Sequence, residues 1–115
     1  MFDPLSLKYN EEGLLPVIAQ DSESGMVLML AWMNAEAVTK SLTTRDVTYW
    51  SRSRQEFWIK GATSGNTQAL IDLRYDCDRD CLLAVVKQKG VACHTGRKSC
   101  FYTSVISGND IELSQ

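Results

Sequence analysis

Membrane-length hydrophobic runs are missing from this chain. The longest, residues 26–33, falls far short of the ~20 apolar residues a spanning helix needs. The amino terminus, Met1-Phe2-Asp3-Pro4-Leu5-Ser6, has no charged region leading into an apolar one, so no secretory signal is expected. Charge of one sign is also missing. A formal net charge of −2 excludes a whole-chain basic field for nucleic acid and leaves only local patches. Proline occurs twice, and there is no internal repeat, low-complexity tract or linker, so residues 1–115 are expected to form a single domain. With 44% apolar and 23% charged residues, the composition is that of an ordinary soluble protein, long enough to bury one core. These absences point to the cytoplasm. Reducing conditions there disfavour disulfides and leave cysteines for metal binding or as free thiols.

The chain is expected to be α+β, β-rich and mainly antiparallel, with few helices. Residues 14–20 and 26–32 alternate like two strands, joined by the turn residues Asp21-Ser22-Glu23-Ser24-Gly25. Asn34 is a helix N-cap followed by helix formers, with apolar Ala35, Val38 and Leu42 at helical spacing and an end near residues 43–46. Residues 47–51 and 56–60 read as aromatic-rich strands. Residues 67–75 alternate, with Ala69, Ile71 and Leu73 on one side and Gln68, Leu70, Asp72 and Arg74 on the other. Residues 82–86 form a continuous apolar run, as in a buried strand, and 91–93 and 101–106 complete the expected set.

Chemistry is concentrated in one window. Residues 76–100 hold all four cysteines and the only histidine, together with Asp76, Asp78 and Asp80. Thiolates suit zinc, whereas clustered carboxylates suit magnesium or calcium. In an extended segment the three carboxylates would share one face, about 6–7 Å apart along the chain. Unpaired, they would repel one another, and a divalent cation removes that conflict. The bland alternative is a solvated acidic turn with Arg79 as its local partner. An EF-hand is excluded, because its required glycine falls on Cys81 and its bidentate glutamate on Lys87. The gaps from Cys77 to Cys93 and from Cys93 to Cys100 are longer than a zinc-finger knuckle, while Cys77 and Cys81 form at best a loose one. Spacing alone leaves the ligand subset open. His94 directly follows Cys93 and suits a general base or a further ligand.

Two further stretches resemble anion contacts. Tyr49-Trp50-Ser51-Arg52-Ser53-Arg54 alternates hydroxyl, aromatic and guanidinium groups. Lys60-Gly61-Ala62-Thr63-Ser64-Gly65-Asn66 is a glycine-rich turn able to cradle phosphate, although it lacks the order of a P-loop. Tyr49, Trp50 and Trp58 are read as core residues rather than base-stacking groups.

Those two stretches, with Trp58-Ile59 leading into the second, resemble the phosphoribosyl-AMP cyclohydrolase family of histidine biosynthesis. So do Asp76-Cys77-Asp78-Arg79-Asp80 and Cys93-His94-Thr95-Gly96-Arg97-Lys98-Ser99-Cys100-Phe101, in the family's order and spacing. With Trp32-Met33-Asn34 upstream, the resemblance runs from about residue 14 to 106. It implies hydrolytic opening of an adenine ring. It also implies zinc on Cys77, Cys93 and Cys100, magnesium on Asp76, Asp78 and Asp80, and Cys81 as a bystander. It further implies an intertwined homodimer whose zinc ligands come from both chains. A pyrophosphohydrolase domain that follows in some relatives is expected to reside in another protein here.

Strand geometry agrees with shared ligands. In a regular strand the aspartates face one way and Cys77 the other, so either the segment is irregular or the two metal sites draw on neighbouring chains. Three thiolates leave a zinc site net −1, so its water should be less acidic than on three histidines, where the pKa is about 7. A nearby base then matters more, and His94 is the candidate. Arg52, Arg54, Lys60, Arg97 and Lys98, with the Thr63 and Ser64 hydroxyls, are candidates for the substrate phosphates. The competing readings are a zinc-stabilised nucleic-acid-binding module, using the aromatic-basic stretch 50–60, and a metal-dependent hydrolase of another purine nucleotide.

Overall fold

Two hairpins meeting side by side make the main sheet. The computed structural model describes residues 2–113. Strands β1 (Leu15–Asp21) and β2 (Val27–Met33) pair antiparallel, from Leu15 opposite Met33 to Gln20 opposite Val27. The turn between them closes on Asp21. Its carboxylate accepts from the Ser24 backbone N–H (2.9 Å) and hydroxyl (2.7 Å). Leu15, Val17 and Ala19 alternate inward along β1, as period-two patterning requires.

After β2, Asn34 caps helix α1 (Ala35–Thr44), its side chain accepting from the Ala37 N–H at 2.8 Å. The buried face is Ala37, Val38 and Ser41, rotated from the expected Ala35–Val38–Leu42 stripe, and Leu42 is only half-buried. The cause is polar. The Ser41 hydroxyl accepts from the Thr48 N–H (2.9 Å) and donates to the Thr48 carbonyl (3.2 Å), tying the helix to the next strand.

Strands β3 (Thr48–Ser51) and β4 (Glu56–Ile59) form a separate two-stranded ribbon, with Tyr49 opposite Trp58 and their rings 4.9 Å apart. Strands β5 (Gln68–Tyr75) and β6 (Leu82–Gln88) make the third hairpin. Strand β6 then lies parallel to β1, which gives a four-stranded sheet in the order β2-β1-β6-β5. The sheet is mixed but mostly antiparallel, with one helix longer than a turn among the described residues, and the class is α+β. No helix of the described residues is long and apolar enough to cross a membrane.

Two expectations need correction. Along β5 the buried residues are Gln68 and Leu70, not Ala69 and Ile71, and Ile71 is 55% exposed. A register shift between Leu70 and Asp72 then half-buries Leu73. Gln68 turns inward because its amide joins a buried network. It accepts from the Tyr49 hydroxyl (2.7 Å) and donates to the side-chain amide oxygen of Gln88 (2.9 Å). A one-residue slip exchanges every side chain between faces, so one satisfied polar group overrides the apolar alternation. The second correction concerns residues 91–93 and 101–106, which are not regular strands. The former enter a tight loop closed by Ala92 N–H to Lys98 O and Cys93 N–H to Arg97 O, both 3.1 Å. The latter reverse direction between Ser104 and Gly108, leaving Val105 and Ile106 at 97% and 98% exposure. A short 3-10 turn, Pro4–Ser6, was not foreseen.

Candidate metal and catalytic site

The β5–β6 turn gathers the aspartates. Beyond Tyr75, Asp76 N–H bonds to Cys81 O (3.1 Å), Arg79 N–H to Asp76 O (3.0 Å), and Asp80 N–H to an Asp76 carboxylate oxygen (3.1 Å). Arg79 takes a left-handed φ of 63° to complete the curl. The segment is therefore irregular, and the strand geometry expected of it does not apply. Asp76, Asp78 and Asp80 each place one ligand oxygen within 4.8 Å of the others, all exposed to solvent. Desolvation within the cluster and the charges of Asp76 and Asp78 hold the Asp80 carboxyl above its ordinary range. Arg79 does not relieve this. Its guanidinium bonds the Ser6 hydroxyl (2.8 Å) and carbonyl (3.2 Å) and lies over the Tyr75 ring at 4.4 Å. The donor set is all oxygen and suits a hard divalent cation.

Residues 93–100 build a second centre. Ser99 is buried, and its hydroxyl donates to Val27 O at 2.7 Å. The Cys100 N–H bonds Leu28 O at 2.7 Å, so the loop is pinned to β2. Cys93 is buried, and its sulfur accepts from the Thr95 hydroxyl at 3.0 Å. That bond, with smaller help from Cys100 and Lys60, outweighs burial and holds the Cys93 thiol below its ordinary value. Cys100 sits at the surface, near enough to Cys93 for the two thiols to act on each other. Partial desolvation, then the neighbouring Cys93, pushes its thiol up to about 11. Two adjacent thiols that favour one shared charge are a ready pair for a soft cation.

Cys77 is exposed in the aspartate turn and does not join them. Among the described residues the aspartates are the one group of three or more ligand side chains that converges. Cys81 is half-buried against Leu82 O, and burial raises its thiol. His94 is exposed on the turn beside Cys93.

Arg52 lies over the Trp32 ring at 4.4 Å, on an open cleft of about 510 Å³ shared with Trp50, Trp58, Ser51 and Ser53. Tyr49 is fully buried as expected, and half-buried Trp58 packs against the core as expected, whereas Trp50 is half-buried outside it; both tryptophans line this cleft. Arg54 pairs with Glu56 at 3.6 Å, and Arg97 pairs with Asp110 at 3.1 Å while covering Tyr102. Lys98 is near enough to Asp21 to act on its carboxyl. Thr63 and Ser64 are exposed in the turn after β4. Gly61 enters that turn at φ 84°, where a Cβ would come within 2.5 Å of the Asn66 backbone.

Three contacts carried no sequence signal strong enough to assign a role: Thr95 on Cys93, Trp32 under Arg52, and the Lys60 ammonium on the Ala92 carbonyl (2.7 Å). A hydroxyl two residues after a cysteine hints at the first. The other two join residues far apart in the chain.

A sequence profile of the phosphoribosyl-AMP cyclohydrolase family matches residues 29–102, a span that includes the aspartate turn and the cysteine loop. Proteins named phosphoribosyl-AMP cyclohydrolase from Dinoroseobacter shibae and Jannaschia are 62% and 63% identical to the chain. Each match covers 97% of this chain and 94% of the relative. The one from Roseobacter denitrificans is 64% identical over 97% of this chain and 88% of its own length. Similarity of this depth over nearly the whole length means that the chain belongs to the phosphoribosyl-AMP cyclohydrolase family of hydrolases.

Proposed function

We propose that this chain opens the adenine ring of 1-(5-phosphoribosyl)-AMP by hydrolysis between ring nitrogen 1 and carbon 6. The product is the phosphoribosylformimino-aminoimidazole carboxamide ribotide of histidine biosynthesis. The observation that carries this reading is that Cys93 and Cys100 come near each other on a pinned loop beside His94, in a chain of this family.

Cys77, Cys93 and Cys100 are the zinc ligands in this reading. The nearness of two of them supports it, and the separate position of Cys77 supports a site completed by a second copy of the chain. Dimerisation and zinc binding are then coupled. Bound there, zinc would supply the Lewis acidity that makes a water nucleophilic near neutral pH. Asp76, Asp78 and Asp80 would hold magnesium, which suits their all-oxygen cluster.

The chain's own residues do the rest. Phosphoribosylation at nitrogen 1 makes the ring electron-poor. His94 accepts a proton from the attacking water as its oxygen bonds to carbon 6. The bond between carbon 6 and nitrogen 1 breaks, and the proton passes to nitrogen 1, which keeps its phosphoribosyl group. The oxygen stays on carbon 6 as a carboxamide. Arg52, Arg54 and Lys98, with the Thr63 and Ser64 hydroxyls, are the phosphate contacts. Arg97 joins them by exchanging its exposed Asp110 partner for phosphate.

The test is a substrate panel of AMP, adenosine and phosphoribosyl-AMP, followed by ultraviolet absorbance with and without a zinc chelator. Turnover of phosphoribosyl-AMP alone, stopped by the chelator, is expected. Comparable turnover of AMP or adenosine would make the protein a hydrolase of another purine. No turnover, with steeply salt-dependent binding to RNA or DNA, would make it a nucleic-acid module.

A further inference from the structure

Lys60 follows β4 directly, and its backbone N–H is bonded to Val47 O at 3.1 Å. Its half-buried side chain crosses to the cysteine loop, where the ammonium donates to Ala92 O at 2.7 Å. Ala92 is itself buried and immediately precedes Cys93. Lys60 forms no ion pair with a carboxylate among the described residues. The acceptor is a neutral carbonyl, which leaves the ammonium's charge to act on anionic neighbours. The loop it clamps carries two thiols, Cys93 and Cys100. Because Ala92 adjoins Cys93, the Lys60 ammonium lies beside the cysteine loop, near enough for its charge to act on both Cys93 and Cys100. Arg97 is already matched by Asp110, and Lys98 acts on Asp21.

We propose that Lys60 is a positioning residue of the cysteine centre: its ammonium clamps the Ala92–Cys93 turn and offsets the negative charge that the thiolates gather around zinc. The inference rests on the zinc reading above. Three thiolates and one zinc ion sum to −1, and one fixed ammonium brings the assembly to neutrality. The chemistry differs from that of a phosphate contact. A lysine bound to substrate phosphate strengthens substrate binding and leaves zinc affinity alone. A lysine that compensates thiolates strengthens zinc binding and leaves KM nearly alone. Lysine suits the role because a compact charge on a flexible stem can reach the carbonyl that precedes Cys93.

The experiment compares the wild type with Lys60→Arg, Lys60→Gln and Lys60→Met. Zinc affinity is measured by competition with a colorimetric chelator, and KM and kcat are measured on the zinc-loaded enzyme. Glutamine keeps a hydrogen-bond donor without the charge, and arginine keeps the charge. Zinc affinity is expected to fall by about tenfold or more in the Gln and Met variants, the range typical of groups that support metal ligands, and to recover in Arg. KM should stay within a few-fold of wild type throughout. Unchanged zinc affinity in Lys60→Gln with a large rise in KM would overturn the proposal and return Lys60 to the phosphate contacts. Loss in Met with full retention in Gln would also overturn it, leaving a neutral clamp. A wild type that binds no zinc, or binds it equally well after Cys93→Ala, would overturn the zinc reading and this inference together. Either result is visible before any Lys60 variant is compared.

Discussion

The aspartate turn and the cysteine loop are built on opposite plans. Asp76, Asp78 and Asp80 come from five consecutive residues, and one hairpin turn brings their oxygens within 4.8 Å. The cysteine centre draws Cys93 and Cys100 from the ends of a loop stitched to β2, receives Lys60 from the far end of β4, and leaves Cys77 elsewhere. A site made by local backbone curl can preform in a single chain. A site assembled from remote elements depends on the fold, and in the proposed reading on a second copy as well.

The largest effect tests that dependence. Cys93→Ala and Cys77→Ala should each cost more activity than the ~100-fold typical of changes behind a metal ligand. Both should lose zinc while keeping magnesium binding at the aspartates. If the centre is shared, mixing the two inactive variants through unfolding and refolding should restore about a quarter of wild-type activity, because half of the dimers are mixed and each mixed dimer has one intact site. No recovery would place all three ligands in one chain.

Next in size is His94→Ala, expected to lower kcat by about 10²–10⁴ while zinc content by metal analysis barely changes. Parallel loss of zinc and rate would make His94 structural. Smaller is the effect of Tyr49→Phe, which removes the donor to Gln68 from a fully buried network. Chemical denaturation should show a loss of about 1–3 kcal/mol, the usual cost of an orphaned buried polar group. Burial, aided by Cys100, raises the Tyr49 hydroxyl far above the neutral range, so this loss should not vary between pH 6 and 9.

The smallest effect lies at the aspartate turn. The folded-state carboxyl of Asp80 is raised, so protonation favours the folded metal-free protein. The associated stability is present below the ordinary carboxylate range and is lost as pH rises through the raised value. Near neutral pH, Asp80→Asn should therefore slightly raise the thermal midpoint of the metal-free protein, and added magnesium should stabilise the wild type more than the variant. A lower midpoint without metal would show that the carboxylates are not in conflict.

Much of this was legible along the chain. The first hairpin follows from two alternating runs around Asp21-Ser22-Glu23-Ser24-Gly25, and α1 from the Asn34 cap, since both depend on neighbours a few residues apart. The aspartate cluster was visible for the same reason, although its carboxylates converge through a turn and not along a strand face. The errors lie where a distant polar partner outvoted local pattern. Gln68 displaced the apolar alternation of β5 for the sake of Tyr49 and Gln88, and Ser41 displaced Leu42 to reach Thr48. The stretch 101–106 has strand-like composition but turns back on itself at Ser104–Gly108.

By itself, then, the sequence determined the class of fold, the family and the gathering of carboxylates and thiols into one window. These depend on residue chemistry and short-range backbone preference. Only the tertiary structure decided that β6 lies parallel to β1, that Cys93 comes near Cys100 without Cys77, and that Lys60 reaches the cysteine loop. Those contacts join residues far apart in the chain, and their energies depend on burial and mutual charge, which exist only once the chain has folded.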